Sequence, residues 1–152
     1  MHRREVPKLA IVLAMFLLGS CGSSSTNEEA RAARGRASLI ATFTKTSYKL
    51  PPAASPSCVE DRQNRTSPVD SDEPDIYCSL NSDVMRHLLG RLDQGLGTDV
   101  TATQRSCINR TITRDQIAAL LSAELGAGRD REATVARFDD QLASGIRQCI
   151  NN

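Results

Sequence analysis

Residues 113–150, TRDQIAALLSAELGAGRDREATVARFDDQLASGIRQCI, carry the clearest helical pattern in the chain. In the second half of this stretch, apolar residues recur at steps of three or four, which places them on one face of a helix: Val135, Phe138, Leu142, Ile146 and Cys149. The first half opens with a capping-box sequence, Thr113 with Gln116, and continues into an apolar stripe formed by Ile117, Leu120, Leu121 and Leu125. We therefore predict two helices, one over 113–125 and one over 131–149.

Further helices are predicted upstream of this pair. Asn81 is a typical N-cap residue, and it precedes an apolar face formed by Met85, Leu88, Leu89 and Leu92. Short helices are expected over 58–65 and 100–108, whereas the proline-bearing segment 66–75 has the composition of a loop. At residues 39–43 the apolar spacing favours a helix slightly over a strand.

The composition indicates the same fold class. Only 3% of the residues are aromatic and none is Trp, so the core must consist mainly of aliphatic side chains. Such a core suits packed helices better than a β-sandwich, in which β-branched and aromatic residues are enriched. We predict a mainly α protein, with a small helical domain braced by disulfides.

The N-terminus has the organisation of an export signal. Residues 2–8, HRREVPK, are net positive, and residues 9–18 form a run of ten apolar residues. A helix of that length spans about 15 Å, which is half of the roughly 30 Å hydrocarbon core of a bilayer. The run is therefore predicted to be the hydrophobic part of a signal peptide and not a membrane span.

The tetrapeptide Leu18-Gly19-Ser20-Cys21 directly follows the apolar run. It resembles the lipobox of bacterial lipoproteins, in which an apolar residue and two small residues precede a cysteine. The resemblance covers residues 1–21 only. It implies cleavage before Cys21, a diacylglycerol on the Cys21 sulfur and an acyl chain such as palmitate on the new amine.

The lipid on Cys21 is expected to anchor the protein in the cell membrane or in an outer membrane, with its domain on the extracytoplasmic side. The pair Arg3-Arg4 also resembles a twin-arginine export signal. Pro7 and the strongly apolar run favour the general secretory route instead.

Three regions follow from this organisation. Residues 1–20 are expected to be the cleaved signal peptide, 21–36 the lipidated cysteine with a flexible tether, and 37–152 a small α-helical domain. The tether is predicted because residues 22–27, GSSSTN, are small and polar, whereas the charged segment 28–36, EEARAARGR, is expected to have a weak helical tendency.

Four cysteines lie beyond Cys21, and an even number in an exported chain indicates two disulfides. Of the three possible pairings, antiparallel packing of the last two helices favours Cys107–Cys149, which leaves Cys58–Cys78. A zinc site is the rival interpretation, but the cysteines are spaced too widely for paired ligands and only His87 could assist them.

Charge argues against nucleic-acid binding. The first 20 residues hold three of the 19 basic side chains and one of the 18 acidic ones, so the remaining chain has a formal charge near −1. A nucleic-acid-binding domain needs a basic face. The partner expected from the sequence is the membrane, through Cys21, together with an envelope protein.

No motif predicts catalytic residues, a cofactor or a metal. His87 is the one histidine after the signal peptide, and it lies beside the apolar face of its helix, so a partly buried, structural role is expected. An acidic cluster, Asp70, Asp72, Glu73 and Asp75, lacks the glycine and the final glutamate of an EF-hand loop, and a solvated loop is expected there.

Three functions remain open at this stage. The preferred one is a non-catalytic envelope protein that binds a partner at the membrane surface. The alternative is a lipoprotein that holds a small apolar molecule or a metal between its helices, in a pocket with a few polar groups. The third is an enzyme that uses His87.

Overall fold

Seven α-helices account for most of the residues that the computed structural model describes, which are 23–45, 48–65, 73–126 and 130–151. In chain order they are α1 (Ser23–Lys45), α2 (Pro56–Arg65), α3 (Glu73–Ser79), α4 (Ser82–Leu96), α5 (Ala102–Thr111), α6 (Arg114–Leu125) and α7 (Arg131–Ile150). No strand occurs in these residues. The predicted mainly α fold is confirmed.

The predicted caps begin two of these helices. The Asn81 side-chain oxygen accepts hydrogen bonds from the backbone N–H groups of Asp83 and Val84, each at 3.0 Å. At the start of α6 the Gln116 N–H donates to Thr113 Oγ1 at 3.2 Å, and the Thr113 N–H donates to Gln116 Oε1 at 2.6 Å. Both caps supply acceptors to N–H groups that have no partner inside the helix.

The core is aliphatic, and its buried helical residues come from α1, α4, α5, α6 and α7, with α3 packed against them. α1 packs on α4 and α7, α5 packs on α7, and α6 packs on α7 and on α3. The largest fully buried side chains include Leu39, Leu88, Leu92, Ile108, Ile117, Leu120, Leu142 and Ile146. Burial of each such side chain contributes about 1.5–3 kcal/mol, so these contacts provide most of the driving force for folding.

Helix α1 includes residues 28–36, the charged part of the predicted tether segment, for which a weak helical tendency was expected. These residues belong to α1, in which Ala32 is completely buried and Glu28 is 7% exposed. Arg31 holds this part of α1 against the end of α4 by donating to the Leu96 carbonyl at 3.3 Å and to Asp99 Oδ1 at 3.0 Å. The hydrogen bond from Arg31 also lowers the pKa of Asp99.

The close approach of α1 to α4 requires a glycine at position 95. A Cβ atom there would lie 2.7 Å from the carbonyl carbon of Arg34 and 2.7 Å from the Cα of Gly35. Real Cβ atoms essentially never come this close to backbone atoms. Gly95 and the small residues of α1 therefore let the backbones of α1 and α4 pack directly against each other.

Two other expectations differ from the structure. Leu125, predicted to belong to the buried stripe of α6, is 51% exposed because it is the last residue of the helix. Residues 73–75, predicted to be loop, form the first turn of α3, where the acidic side chains of Glu73 and Asp75 favour a helix start.

Both disulfides are present with the expected pairing. Cys107–Cys149 joins α5 to α7 with a Cα–Cα distance of 5.7 Å, and Cys58–Cys78 joins α2 to α3 with a distance of 6.0 Å. All four sulfur atoms are therefore engaged in disulfides, which excludes them as ligands of the alternative zinc site.

Candidate binding groove

An open groove with a volume of about 810 Å³ lies along α4 and is bordered by α5 and the start of α6. This volume falls within the roughly 300–1,000 Å³ that is typical of small-molecule sites. The residues that define its character are Leu80, Met85, Leu89, Gly90, Asp93 and Asn109. We refer to it below as the α4 groove.

One part of the α4 groove is apolar. Met85 and Leu89 are four residues apart on α4 and therefore lie on the same face of the helix. Both are half-buried against the core, and the buried Leu80 lies beside them in the groove. The flexible thioether of Met85 can adapt to different ligand shapes, so this wall suits an apolar group.

The polar part of the groove consists of Asp93 and Asn109. The Asn109 Nδ2 group donates to Asp93 Oδ2 at 3.1 Å. Within the described residues, Asp93 Oδ1 and Asn109 Oδ1 have no hydrogen-bond partner, and each exposes less than 1 Å². A buried polar atom without a partner costs about 1–3 kcal/mol. The two oxygens therefore lie inside the domain without a donor, although Asp93 and Asn109 are both half-buried residues of the groove lining.

Arg105 positions the two helices that carry this pair. Its side chain donates to three backbone carbonyls at the end of α4 and in the following loop, those of Asp93, Gly97 and Val100. The last carbonyls of a helix have no partner inside it, so Arg105 both satisfies this end and fixes α5 against α4. Asn109 lies four residues after Arg105, on the same face of α5, and its amide therefore points towards Asp93.

The arginines near Tyr77 are occupied by contacts within the domain. The guanidinium carbons of Arg62 and Arg114 each lie 4.2 Å from the centroid of the Tyr77 ring. Arg114 Nε donates to the Tyr77 carbonyl at 2.8 Å. Arg62 forms ion pairs of 2.6 Å with Glu73 and with Asp115, and the hydrogen bond to Glu73 raises the pKa of Arg62. This cluster joins α2 and α3 to α6 and serves packing.

His87 does not lie in the α4 groove. Its imidazole ring stacks on Tyr48, with a centroid distance of 4.8 Å and an interplanar angle of 15°. Tyr48 in turn contacts Phe43 edge-to-face at 5.4 Å. In the part of the chain that the structure describes, no hydrogen bond or ion pair joins His87 to a carboxylate. His87 is exposed, whereas a partly buried position was expected, and its ring contact joins the segment after α1 to α4.

The remaining predicted site residues fall in different places. Cys21, Asp70 and Asp72 lie outside the described residues. Glu73 is 16% exposed and is paired with Arg62. Throughout the described ranges, no group of three or more His, Cys, Asp and Glu side chains is arranged to hold a metal ion.

The sequence does not predict the polar end of the groove. Asp93 and Asn109 are separated by 16 residues and lie on different helices. One signal was available: Asp93 follows Met85 and Leu89 at steps of four, which places a carboxylate at the end of an apolar stripe. Its partner on α5 depends on tertiary packing and leaves no local pattern.

None of the described helices is long and apolar enough to cross a bilayer. Comparison of the chain with protein-family models, with curated proteins and with solved structures finds no match.

Proposed function

We propose that this chain is an exported, lipid-anchored envelope protein that acts by binding a partner and not by catalysis. Support for export comes from the positive segment, the apolar run and the lipobox that precede and include Cys21. Two disulfides braced between helices agree with an oxidising compartment.

The observation that supports binding most directly is the α4 groove. It combines an apolar wall with a polar end formed by the Asp93 carboxylate and the Asn109 amide. Binding sites commonly have this composition, in which an apolar surface provides affinity and a few polar groups fix orientation. Its volume of about 810 Å³ also favours the second candidate function, a lipoprotein that holds a small, mainly apolar molecule.

Lipid attachment is tested by metabolic labelling with palmitate. Wild-type protein and the neighbouring control variant Ser24→Ala should incorporate the label and sediment with membranes. Cys21→Ser should incorporate none, because it lacks the thiol to which the lipid is added. Equal labelling of Cys21→Ser, or no labelling of the wild type, would contradict the anchor.

Binding through the groove is tested by photo-crosslinking in intact cells. A photo-reactive amino acid in place of Met85 lies in the groove, whereas one in place of the exposed Arg137 on α7 does not. We expect a discrete adduct from position 85 that is absent from position 137. The same products from both positions would show that the groove is not a specific binding surface.

A further inference from the structure

Gly90 is a residue of the groove that has no structural reason to be glycine within this chain. It lies inside α4, where glycine is less favourable than alanine. A Cβ atom at this position would meet nothing within 4 Å, in contrast to Gly95 on the same helix. The bare backbone at Gly90 therefore leaves room for a group that the chain itself does not provide.

Gly90 lies between the apolar and the polar parts of the groove. Met85, Leu89 and Asp93 follow one another at steps of four, so they form one line along α4. The distance along the helix from Met85 to Asp93 is about 12 Å. A ligand that lies along this line meets apolar side chains first and a carboxylate last.

The carboxylate of Asp93 also lacks a cationic partner. In the described part of the chain no ion pair includes Asp93, and its only side-chain hydrogen bond comes from Asn109. Arg86 and Arg114 also line the groove, but Arg86 forms an exposed ion pair of 3.0 Å with Asp83, and Arg114 is held by Tyr77. The carboxylate of Asp93 is therefore best matched by a positively charged N–H group.

We propose that the α4 groove binds a small aliphatic ammonium compound. Its alkyl chain lies along Met85 and Leu89 over Gly90, and its ammonium group pairs with the carboxylate of the half-buried Asp93, which lines the groove. This inference rests on the proposal that the protein acts by binding, and it does not depend on the lipid at Cys21.

The test uses n-octylammonium as a probe and n-octanol as its uncharged analogue. The exported Cys21→Ser protein, with both disulfides formed, is titrated with each compound, and backbone and side-chain amides are followed by NMR. We expect octylammonium to shift the amides of residues 85–93 and the Asn109 side-chain amide. Octanol should bind at least about tenfold more weakly, since it lacks a charge-assisted hydrogen bond.

Two variants and one control make the result specific. Asp93→Asn should weaken octylammonium binding about 10- to 100-fold, whereas Asp140→Asn, an exposed aspartate on α7, should bind as the wild type does. Gly90→Ala should raise Tm by about 2–5 °C, because alanine favours the helix, and it should nevertheless weaken binding because its methyl group occupies the groove.

Several results would overturn the proposal. Equal affinity for octanol would show that the groove has only apolar affinity. Equal affinity of Asp93→Asn and Asp140→Asn would show that the carboxylate is not involved. No binding of octylammonium would show that the Asp93 carboxylate does not hold a cation in the groove, while failure of palmitate labelling alone would leave this inference unaffected.

Discussion

Removing the Cys107–Cys149 disulfide should destabilise the whole domain by about 4 kcal/mol, according to the loop-entropy model. The bond closes a sequence separation of 42 residues and ties α5 to the end of α7. In the double variant Cys107→Ala/Cys149→Ala the unfolded chain regains the freedom of this loop, and no free thiol remains. Since small domains are stable by about 5–15 kcal/mol, the loss is a large fraction of the total.

Removing the Cys58–Cys78 disulfide should have a smaller and more local effect. Its separation of 20 residues corresponds to about 3 kcal/mol in the same model. However, α2 contributes no buried residue to the core. In the Cys58→Ala/Cys78→Ala variant, α2 can therefore separate from the rest of the folded domain. The folded state then gains conformational freedom as the unfolded state does, so the net loss of stability is below about 3 kcal/mol.

Urea unfolding followed by far-ultraviolet circular dichroism measures both losses, since the chain has no Trp to report fluorescence. The Cys107–Cys149 variant should unfold at a midpoint lower by about 2 M. Hydrogen exchange should show opening of residues 56–65 alone in the other variant. An unchanged midpoint after loss of Cys107–Cys149 would refute the view that this bond braces the core.

Three further predictions concern the packing around α4. The hydrogen bond from Arg31 lowers the pKa of Asp99. This pair therefore stabilises the fold above the unfolded pKa of about 4, and its effect is lost as the pH falls through the folded pKa. Acid unfolding of Asp99→Asn should therefore depend less steeply on pH than that of the wild type. Gly95→Ala should destabilise the domain by roughly 1–3 kcal/mol through a clash with α1, whereas Gly90→Ala on the same helix should not destabilise it, as measured by urea unfolding. Arg105→Lys should cost about 1–3 kcal/mol in the same assay, because one ammonium group cannot replace donors to three separate carbonyls.

The parts of the fold that follow from the sequence are those set by neighbouring residues. The capping box of Thr113 and Gln116 and the cap at Asn81 depend on three or four consecutive residues, and both are present. The apolar steps of α7 identify its buried face, because a helix repeats every 3.6 residues. The disulfide pairing follows from the antiparallel arrangement of α6 and α7, which a short turn between two helices favours.

The parts that the sequence does not predict depend on distant contacts. The first half of α1 is rich in charge and contains little apolar surface, yet Ala32 and Gly35 are buried because α4 and α7 approach closely there. Small residues give a weak hydrophobic signal, although they allow the closest helix packing. Leu125 shows the opposite case, in which an apolar pattern predicts burial that the structure does not have. Its spacing continues the apolar stripe of α6, but Leu125 lies beyond the point where a neighbouring helix covers that stripe.

The early start of α1 changes how the proposed anchor would act. In the sequence a single residue, Gly22, separates Cys21 from Ser23, the first residue of α1. α1 runs antiparallel to α4, since Arg31 near its start contacts Asp99 after the end of α4. A lipid on Cys21 would therefore hold this end of the bundle at the bilayer. The α4 groove would then extend away from the bilayer, with Asp93 nearer the membrane than Met85.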